Sequence, residues 1–529
     1  MLKDSLYYIT KAITGKDRPR ELLLEAAELF DGGANCVLLK APTGYGKTTL
    51  SLAVYHAIKN GWDAGVSLIH VLPLRSIGDD LYRKAVKAFY GVEPDGPSYE
   101  DIGVQHSYSP GAIALHRRFN ITTLDTFVLS FFKLPPFVLP KLIKDLSLGQ
   151  YEVTRGFIYS SFIVFDEVHL YFQNERMSSV FLSILKALRE GNVPVLMTSA
   201  TVPENIEKQI LGKYEGCKVI DKSPGDAPQR QVRVKTIRGG QVDAVVRDAL
   251  RSGKSAIIVR NTVREAVDDY QRLKDLAEEA VLLHGKLAEG ERIRAVGKVL
   301  GGQLRPGTLV VATQVIEAGV DISADLMISS AAPPESLEQR MGRVARYGGY
   351  GEFLVVEPEG NYRPYSEEEV EEGFSQAREI EEGKREKFSY PQRDIASVTK
   401  LSAILSMIQS NPMATSESAK KVLEDVCSFV REDELVSAYP IELLDRYCTK
   451  VEEGSYICNS LEGLAVPLER KELGGDEMDY LVKVGEQYKI VKGKPPRGCF
   501  FEASLRLNGV EVQPLGVVVK GYKEGLGLV

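Results

Sequence analysis

The chain has 529 residues, a net charge of −7, 44% hydrophobic and 26% charged residues, ordinary proportions for a folded protein of two to four domains at ~100–200 residues each. Bulk disorder and a globally basic nucleic-acid binder are excluded, so any nucleic-acid partner has to be held by a local basic surface.

The six cysteines, Cys36, Cys217, Cys427, Cys448, Cys458 and Cys499, are scattered and form no C-x-x-C pair. They predict neither a disulfide framework nor a zinc site, and imply a reducing, cytoplasmic setting. The start, Met1 to Ser5, lacks the apolar core of a signal peptide. The most apolar stretch, 127–143, is broken by Lys133, Pro135, Pro136, Pro140 and Lys141, short of the ~18 apolar residues of a membrane span.

In chain order, apolar β-branched runs at 36–40, 66–72, 162–165, 193–197, 232–237, 256–259, 280–283, 308–311, 326–328 and 353–356 alternate with helical patterns. Strands this apolar with helix-length spacers predict buried parallel strands in an α/β fold. They are too many for one open sheet, and the polar Pro/Gly stretch 221–228 predicts the linker between two such domains. Residues 363–387 carry nine acids and five bases and predict a solvated helix. Amphipathic helices are expected at 396–409 and 416–430, and a small β region from 455 onward, with alternating runs at 481–484 and 510–519. The predicted domains are 1–221, 222–362 and a C-terminal accessory domain, 363–529.

The run 36–40 leads into Ala41-Pro42-Thr43-Gly44-Tyr45-Gly46-Lys47-Thr48-Thr49 and then a helical pattern. A glycine turn between strand and helix offers backbone N–H groups and the positive helix end to phosphates. Thr43 to Thr49 would cradle the nucleotide, Lys47 would reach the β/γ-phosphates and Thr48 would ligate Mg²⁺. The first glycine of G-x-x-x-x-G-K-[ST] is Ala41 here, so the loop is a variant. The apolar run 162–165 ends in Asp166-Glu167-Val168-His169. Adjacent carboxylates at a strand end can divide the labour, Asp166 holding Mg²⁺ and Glu167 polarising the attacking water.

With these two elements the chain resembles superfamily 2 helicases of the DExH type, and further motifs follow in the family's order. Ser199-Ala200-Thr201 resembles the motif that links hydrolysis to domain movement. Thr313-Gln314 with Glu317-Ala318-Gly319-Val320-Asp321 resembles motif V, placing Gly319 and Asp321 at the nucleotide. Gln339-Arg340-Met341-Gly342-Arg343-Val344-Ala345-Arg346 resembles Q-R-x-G-R-x-x-R, in which Gln339 is catalytic and Arg343 and Arg346 are arginine fingers. A guanidinium stays charged and forked, suited to the charge developing on a γ-phosphate. The alternative for Arg340, Arg343 and Arg346 is a solvated basic helix face.

Within the superfamily, Val71-Leu72-Pro73-Leu74-Arg75-Ser76-Ile77, Thr122-Thr123-Leu124-Asp125, Asp166-Glu167-Val168-His169, Asn261-Thr262-Val263, Leu283-His284-Gly285 and Pro333-Pro334-Glu335-Ser336-Leu337 make the chain similar to the CRISPR-associated helicase of type I interference systems. The resemblance covers about 35–358. It implies two tandem RecA-like parallel-sheet domains followed by a mixed helical and β domain, with ATP and Mg²⁺ as cofactors. The implied activity is a single-stranded-DNA translocase that unwinds target DNA beside a guide-RNA surveillance complex. Family members commonly carry an N-terminal HD-type nuclease; this sequence has no His-Asp dipeptide, so a separate HD nuclease is the expected partner. The glutamine that reads adenine upstream of the phosphate loop in many relatives is missing, the first glutamine being Gln105, and Arg20 or Tyr8 are its candidate substitutes.

By resemblance, the strand would be contacted near Pro73, Arg75, Thr122, Thr123, Asp125, Asn261, Thr262, His284 and Thr313. Nine bases against two acids between Arg230 and Arg264 mark either a phosphate-tracking surface or a solvated domain face. A repair or RNA-processing DExH helicase and an ATP-switched scaffold that does not translocate are the competing functions.

Overall fold

The computed structural model describes residues 1–42, 44–73, 75–94, 96–106, 109–132, 151–172, 175–200, 202–222, 225, 229–299, 302–317, 321–389, 435–461, 463–469, 472–473, 477–493, 505–507, 510–512 and 514–528. The helices expected at 396–409 and 416–430, Thr43, Thr201, Gly319 and most of the linker 221–228 lie outside them, as does the side chain of Arg75. The chain divides into two compact units, one containing Met1–Ala227 and the other Pro228–Pro391 with Asp433–Val529.

In the first unit the strands are β1 (Cys36–Lys40), β2 (Ser67–Leu72), β3 (Ser98–Tyr99), β4 (Ile102–His106), β5 (Ser109–Pro110), β6 (Phe119–Thr123), β7 (Ser161–Phe165), β8 (Val195–Ser199) and β9 (Lys218–Asp221). They form one sheet in the order β3-β4-β6-β2-β7-β8-β1-β9, with β5 on β4. From β4 to β9 every neighbouring pair along that order is parallel, as fully apolar strands require, because helices must cover both faces. Alternation along the strands sorts the core: Leu68 and Leu72 of β2 join one apolar cluster and Ile69 and Val71 the other.

The second unit carries β10 (Arg230–Ile237), β11 (Ala256–Val259), β12 (Glu279–Leu283), β14 (Thr308–Ala312), β16 (Leu326–Ser330) and β17 (Gly349–Val356) in a parallel sheet ordered β10-β17-β16-β11-β14-β12, with a small pair β13 (Gly302–Gln303) and β15 (Ile322–Ser323). The acidic segment forms the helix Glu367–Glu381. It is solvated on one side only, because Val370, Phe374 and Ala377 enter the core of this sheet. A Cβ on Gly373 would lie 1.9 Å from the Ala332 carbonyl, so glycine is what lets the helix approach. The later strands β18 (Leu435–Pro440), β19 (Thr449–Glu452), β20 (Ser455–Ile457), β21 (Val466–Glu469), β22 (Met478–Val484), β23 (Gln487–Gly493) and β26 (Pro514–Val519) build a mixed sheet. A β24 (Leu505–Leu507) and β25 (Val510–Val512) pair and a closing hairpin, β27 (Tyr522–Lys523) with β28 (Gly527–Leu528), complete the region. The α/β class with a C-terminal mixed region is as expected.

The cysteine expectation is corrected. Cys36 is bonded to Cys217, and Cys448 to Cys458; Cys427 and Cys499 lie outside the described residues. The first pair is 181 residues apart in sequence, so spacing gave no hint. Parallel pairing of Val37 with Lys218 is what sets the preceding residues, Cys36 and Cys217, side by side. No described helix is long and apolar enough to cross a membrane.

Candidate active site

The phosphate loop leaves β1 at Lys40, and Ala41 N–H donates to the Ser199 carbonyl at 2.9 Å, fastening the loop to the end of β8. Tyr45 N–H closes a turn on the Pro42 carbonyl at 3.1 Å. Gly44 (φ 76°) and Gly46 (φ 89°) occupy the left-handed region, which is the physical need for glycine at both positions. Lys47 then opens the helix Lys47–Lys59. Arg20 braces the loop: its guanidinium stands 5.0 Å over the Tyr45 ring and Nη1 donates to the Gly44 carbonyl at 2.9 Å. Tyr8 instead stacks on His56 at 4.6 Å.

β7 delivers the carboxylates. Asp166 N–H donates to the Val71 carbonyl at 3.0 Å, continuing the ladder to β2. Asp166 Oδ1 accepts from the Glu167 N–H at 3.0 Å and from the Thr198 hydroxyl, while His70 Nε2 lies 3.8 Å from Oδ2. Burial pushes the Asp166 carboxyl up, yet His70, the Lys47 ammonium and Thr198 together outweigh it and hold it below the usual carboxylate range. Glu167 adopts φ 49°, a left-handed conformation uncommon for a residue with a side chain. Its Oε1 lies 3.0 Å from Lys47 Nζ, which also donates to the Ala41 carbonyl at 3.3 Å. His169 Nδ1 sits 2.7 Å from the Ser199 hydroxyl and 3.5 Å from Glu167 Oε2. Burial lowers the His169 pKa, which favours the neutral ring.

Loop, lysine and both carboxylates therefore lie together at the ends of β1 and β7. Whether they suit Mg²⁺ is tested by Glu167 Oε2, a buried carboxylate oxygen that no hydrogen-bond donor satisfies among the described residues. Such an atom, beside a carboxylate held ionised and the Thr48 position, fits an oxygen-rich site for a hard cation and its water.

In the second unit the arginine motif does not form a solvated basic face. Arg340, on the helix Pro334–Met341, is 0% exposed. Its Nε donates to Glu317 Oε1 at 2.8 Å, Nη1 to Ser329 Oγ at 2.9 Å and the Ser330 carbonyl at 3.2 Å, and both Nη atoms to Asn261 Oδ1 at 3.2 Å. The Tyr365 hydroxyl accepts from Nη2 at 3.4 Å. Arg343 follows the helix and donates to the Glu317 carbonyl at 2.7 Å. Glu317 thus grips one arginine with its side chain and the next with its backbone. Arg346 Nε lies 3.3 Å from Asp321, which also accepts from Tyr347 at 2.6 Å; Gln339 is half-buried. Sequence reasoning gave Arg340, Glu317 and Tyr365 no role of their own. Their partnership joins positions 317, 340 and 365, too far apart in the chain for a local pattern to signal it.

Several candidate nucleic-acid residues spend their polar atoms on the fold. Thr122 is buried and donates to the Gln105 carbonyl at 2.7 Å; Thr123 is buried and caps the helix Leu124–Phe131. Asn261 Nδ2 donates to the Ala331 carbonyl at 2.8 Å, and Thr262 caps the helix Val263–Leu273 in a capping box with Glu265. Thr313 is buried at the end of β14. The His284 ring is 0% exposed. Its Nε2 lies 3.0 Å from the Leu526 carbonyl and its Nδ1 accepts from Lys286 N–H at 3.2 Å, a neutral tautomer consistent with a pKa that burial lowers to about 4. Pro73 and Asp125 remain partly exposed. Within the basic stretch, Lys235 and Lys254 pair with Glu352, and Arg260 with Asp269, so that stretch is partly neutralised.

Residues 24–209 match the family of DEAD/DEAH box helicases, and residues 252–349 match the C-terminal family of the CRISPR-associated nuclease/helicase Cas3. The CRISPR-associated helicase Cas3 of Thermoproteus tenax is 27% identical over 350 residues, 64% of this chain and 59% of that protein. The CRISPR-associated nuclease/helicase Cas3 of Methanothermobacter thermautotrophicus is 29% identical over 60% of this chain and 39% of its own. The chain thus spans about half the length of the curated relatives it matches. In fold, it is similar to the crystal structure of T. fusca Cas3 with ADP, at a TM-score of 0.62 and 17% identity over 88% of this chain and 66% of that one.

Proposed function

From the premise that the chain is a Cas3-like DEAD/DEAH-box helicase, we propose that it hydrolyses ATP to translocate along single-stranded DNA and unwind target DNA in CRISPR interference. The observation that carries the ATPase half is the convergence of Lys47, Asp166 and Glu167 on the glycine loop. Lys47 exchanges its contact with Glu167 for the β/γ-phosphates of the nucleotide. The freed Glu167 carboxylate then accepts a proton from the attacking water. Thr48 and Asp166 are the residues suited to hold Mg²⁺, which when bound neutralises phosphate charge. Arg343 and Arg346 are the proposed arginine fingers, and Asp321 and Gly319 their neighbours at the nucleotide.

In this proposal the protein reads no base sequence itself; a guide-RNA surveillance complex supplies it, and an HD-type nuclease receives the unwound strand. The names of the relatives, a CRISPR-associated helicase and a CRISPR-associated nuclease/helicase, support placing the chain in a CRISPR system. Strand contacts fall to Pro73, Arg75 and Asp125 and to the unpaired part of the basic stretch, through the sugar–phosphate backbone.

The test is ATP hydrolysis with Mg²⁺ in the presence of no nucleic acid, single-stranded DNA, single-stranded RNA or duplex, with Lys47→Ala as the blank. Stimulation confined to single-stranded DNA is the expected result. Stimulation by RNA alone would overturn the DNA assignment, and equal rates without nucleic acid would overturn translocation.

A further inference from the structure

His70 occupies the middle of β2 and pairs in register with Val164 of β7, two residues before Asp166. Leu68 and Leu72, on the same face of β2 as His70, share an apolar cluster with Val164 and Leu196. That is the face to which Asp166 and Thr198 also belong. The imidazole is 1% exposed, and among the described residues neither Nδ1 nor Nε2 has a hydrogen-bond partner. A polar ring buried in this way costs stability that an apolar side chain of similar volume would not. Among the described residues, the hydrogen bonds to Asp166 converge on Oδ1, from Thr198 on the β8 side and from the Glu167 N–H. Oδ2 faces His70 Nε2 at 3.8 Å. A closure of about 1 Å brings that pair into hydrogen-bond range.

We propose that His70 is a positioning residue for Asp166: its Nε2–H engages Oδ2 when a magnesium nucleotide binds, so that the carboxylate is held from both neighbouring strands and cannot rotate away from the cation. Residues that orient a metal-binding carboxylate from behind commonly set metal affinity without touching the metal. The inference rests on the ATP-site assignment above and adds to it a residue in the body of the sheet.

The decisive contrast is between His70→Gln, whose amide N–H reaches about as far as Nε2, and His70→Asn, whose shorter side chain does not. Both keep a polar amide in the same cavity, so packing loss is shared. The measurement is the Mg²⁺ concentration for half-maximal binding of a fluorescent ATP analogue, with thermal melting alongside. His70→Asn is expected to need about tenfold more Mg²⁺ or beyond, His70→Gln to stay within about threefold of the parent, and metal-free nucleotide binding to be equal in all three. An unchanged midpoint in His70→Asn, or equal shifts in both variants, overturns the inference. If the parent itself shows no Mg²⁺-dependent nucleotide binding, the ATP-site assignment falls and not this refinement alone.

Discussion

Lys47 Nζ lies 3.0 Å from Glu167 Oε1, so the proposed phosphate-binding cation and the proposed base neutralise one another across the site. Removing either partner should have different consequences. Lys47→Ala is expected to abolish nucleotide binding and turnover together. Glu167→Gln should retain nucleotide binding and lower turnover about 10²–10⁴-fold, the range general-base catalysis contributes. Equilibrium binding and steady-state hydrolysis on the same preparations separate the two, and normal turnover in either variant would remove the site assignment.

The two arginines that Glu317 grips should separate stability from catalysis. Arg340 is wholly buried against the Glu317 carboxylate, and Arg340→Ala leaves that carboxylate without its cation, a loss of about 3–5 kcal/mol. Arg343 donates to the Glu317 backbone carbonyl and not to its carboxylate, so Arg343→Ala should cost less stability than Arg340→Ala, about 1 kcal/mol for that bond, while lowering ATP turnover about 10³–10⁵-fold. Denaturant titration paired with hydrolysis rates checks both, and equal destabilisation by the two substitutions would contradict the assignment.

His284 gives a pH dependence with a defined sign. The unfolded ring takes up a proton near pH 6.5, whereas burial holds the folded ring neutral down to about 4. The stability tied to the neutral ring is therefore complete above the unfolded value and is lost as pH falls from about 6.5 to 4, by about 3 kcal/mol at most. Urea midpoints at pH 7 and pH 4 should fall further apart in the parent than in His284→Gln, which cannot titrate. Parallel pH profiles would show that the hairpin contact to Leu526 opens before the ring is protonated.

The two described disulfides should differ in weight. Cys36–Cys217 spans 181 residues and Cys448–Cys458 spans 10. In a chain-entropy account these restrict the unfolded state by about 5 and about 3 kcal/mol. Cys36→Ser should therefore lower the melting temperature more than Cys448→Ser under non-reducing conditions. A reductant that leaves the parent's melting unchanged would show that the bonds are not formed in solution.

Much of the scaffold is legible from the sequence because parallel strands buried on both faces are written in unbroken apolar runs. Residues 36–40 and 256–259 are strands with those very ends. The strands that escape detection carry polar residues inside: Asn120 of β6 is buried and bonds the Leu68 carbonyl at 3.3 Å, and β4 buries Gln105 and His106. Local hydrophobicity cannot report a polar residue satisfied by a neighbouring strand. The same limit applies to the site. Lys47, Asp166 and Glu167 sit in short contiguous motifs, whereas His70, Thr198 and Tyr365 act through partners distant in the chain. The nucleic-acid list suffers most, since a threonine in a motif looks alike whether it faces a phosphate or, like Thr122, a carbonyl of the next strand.

Glu167 holds its proposed catalytic carboxylate on a backbone bent to φ 49°, a conformation of the kind that costs roughly 1–3 kcal/mol and persists where surrounding structure enforces it. Glycine or asparagine would adopt it more cheaply. Laboratory selection of this protein for heat resistance alone would thus be drawn toward replacements at 167 that melt later and no longer turn over ATP. Any thermostabilisation campaign needs activity screened at every round, because here durability and catalysis pull on the same residue in opposite directions.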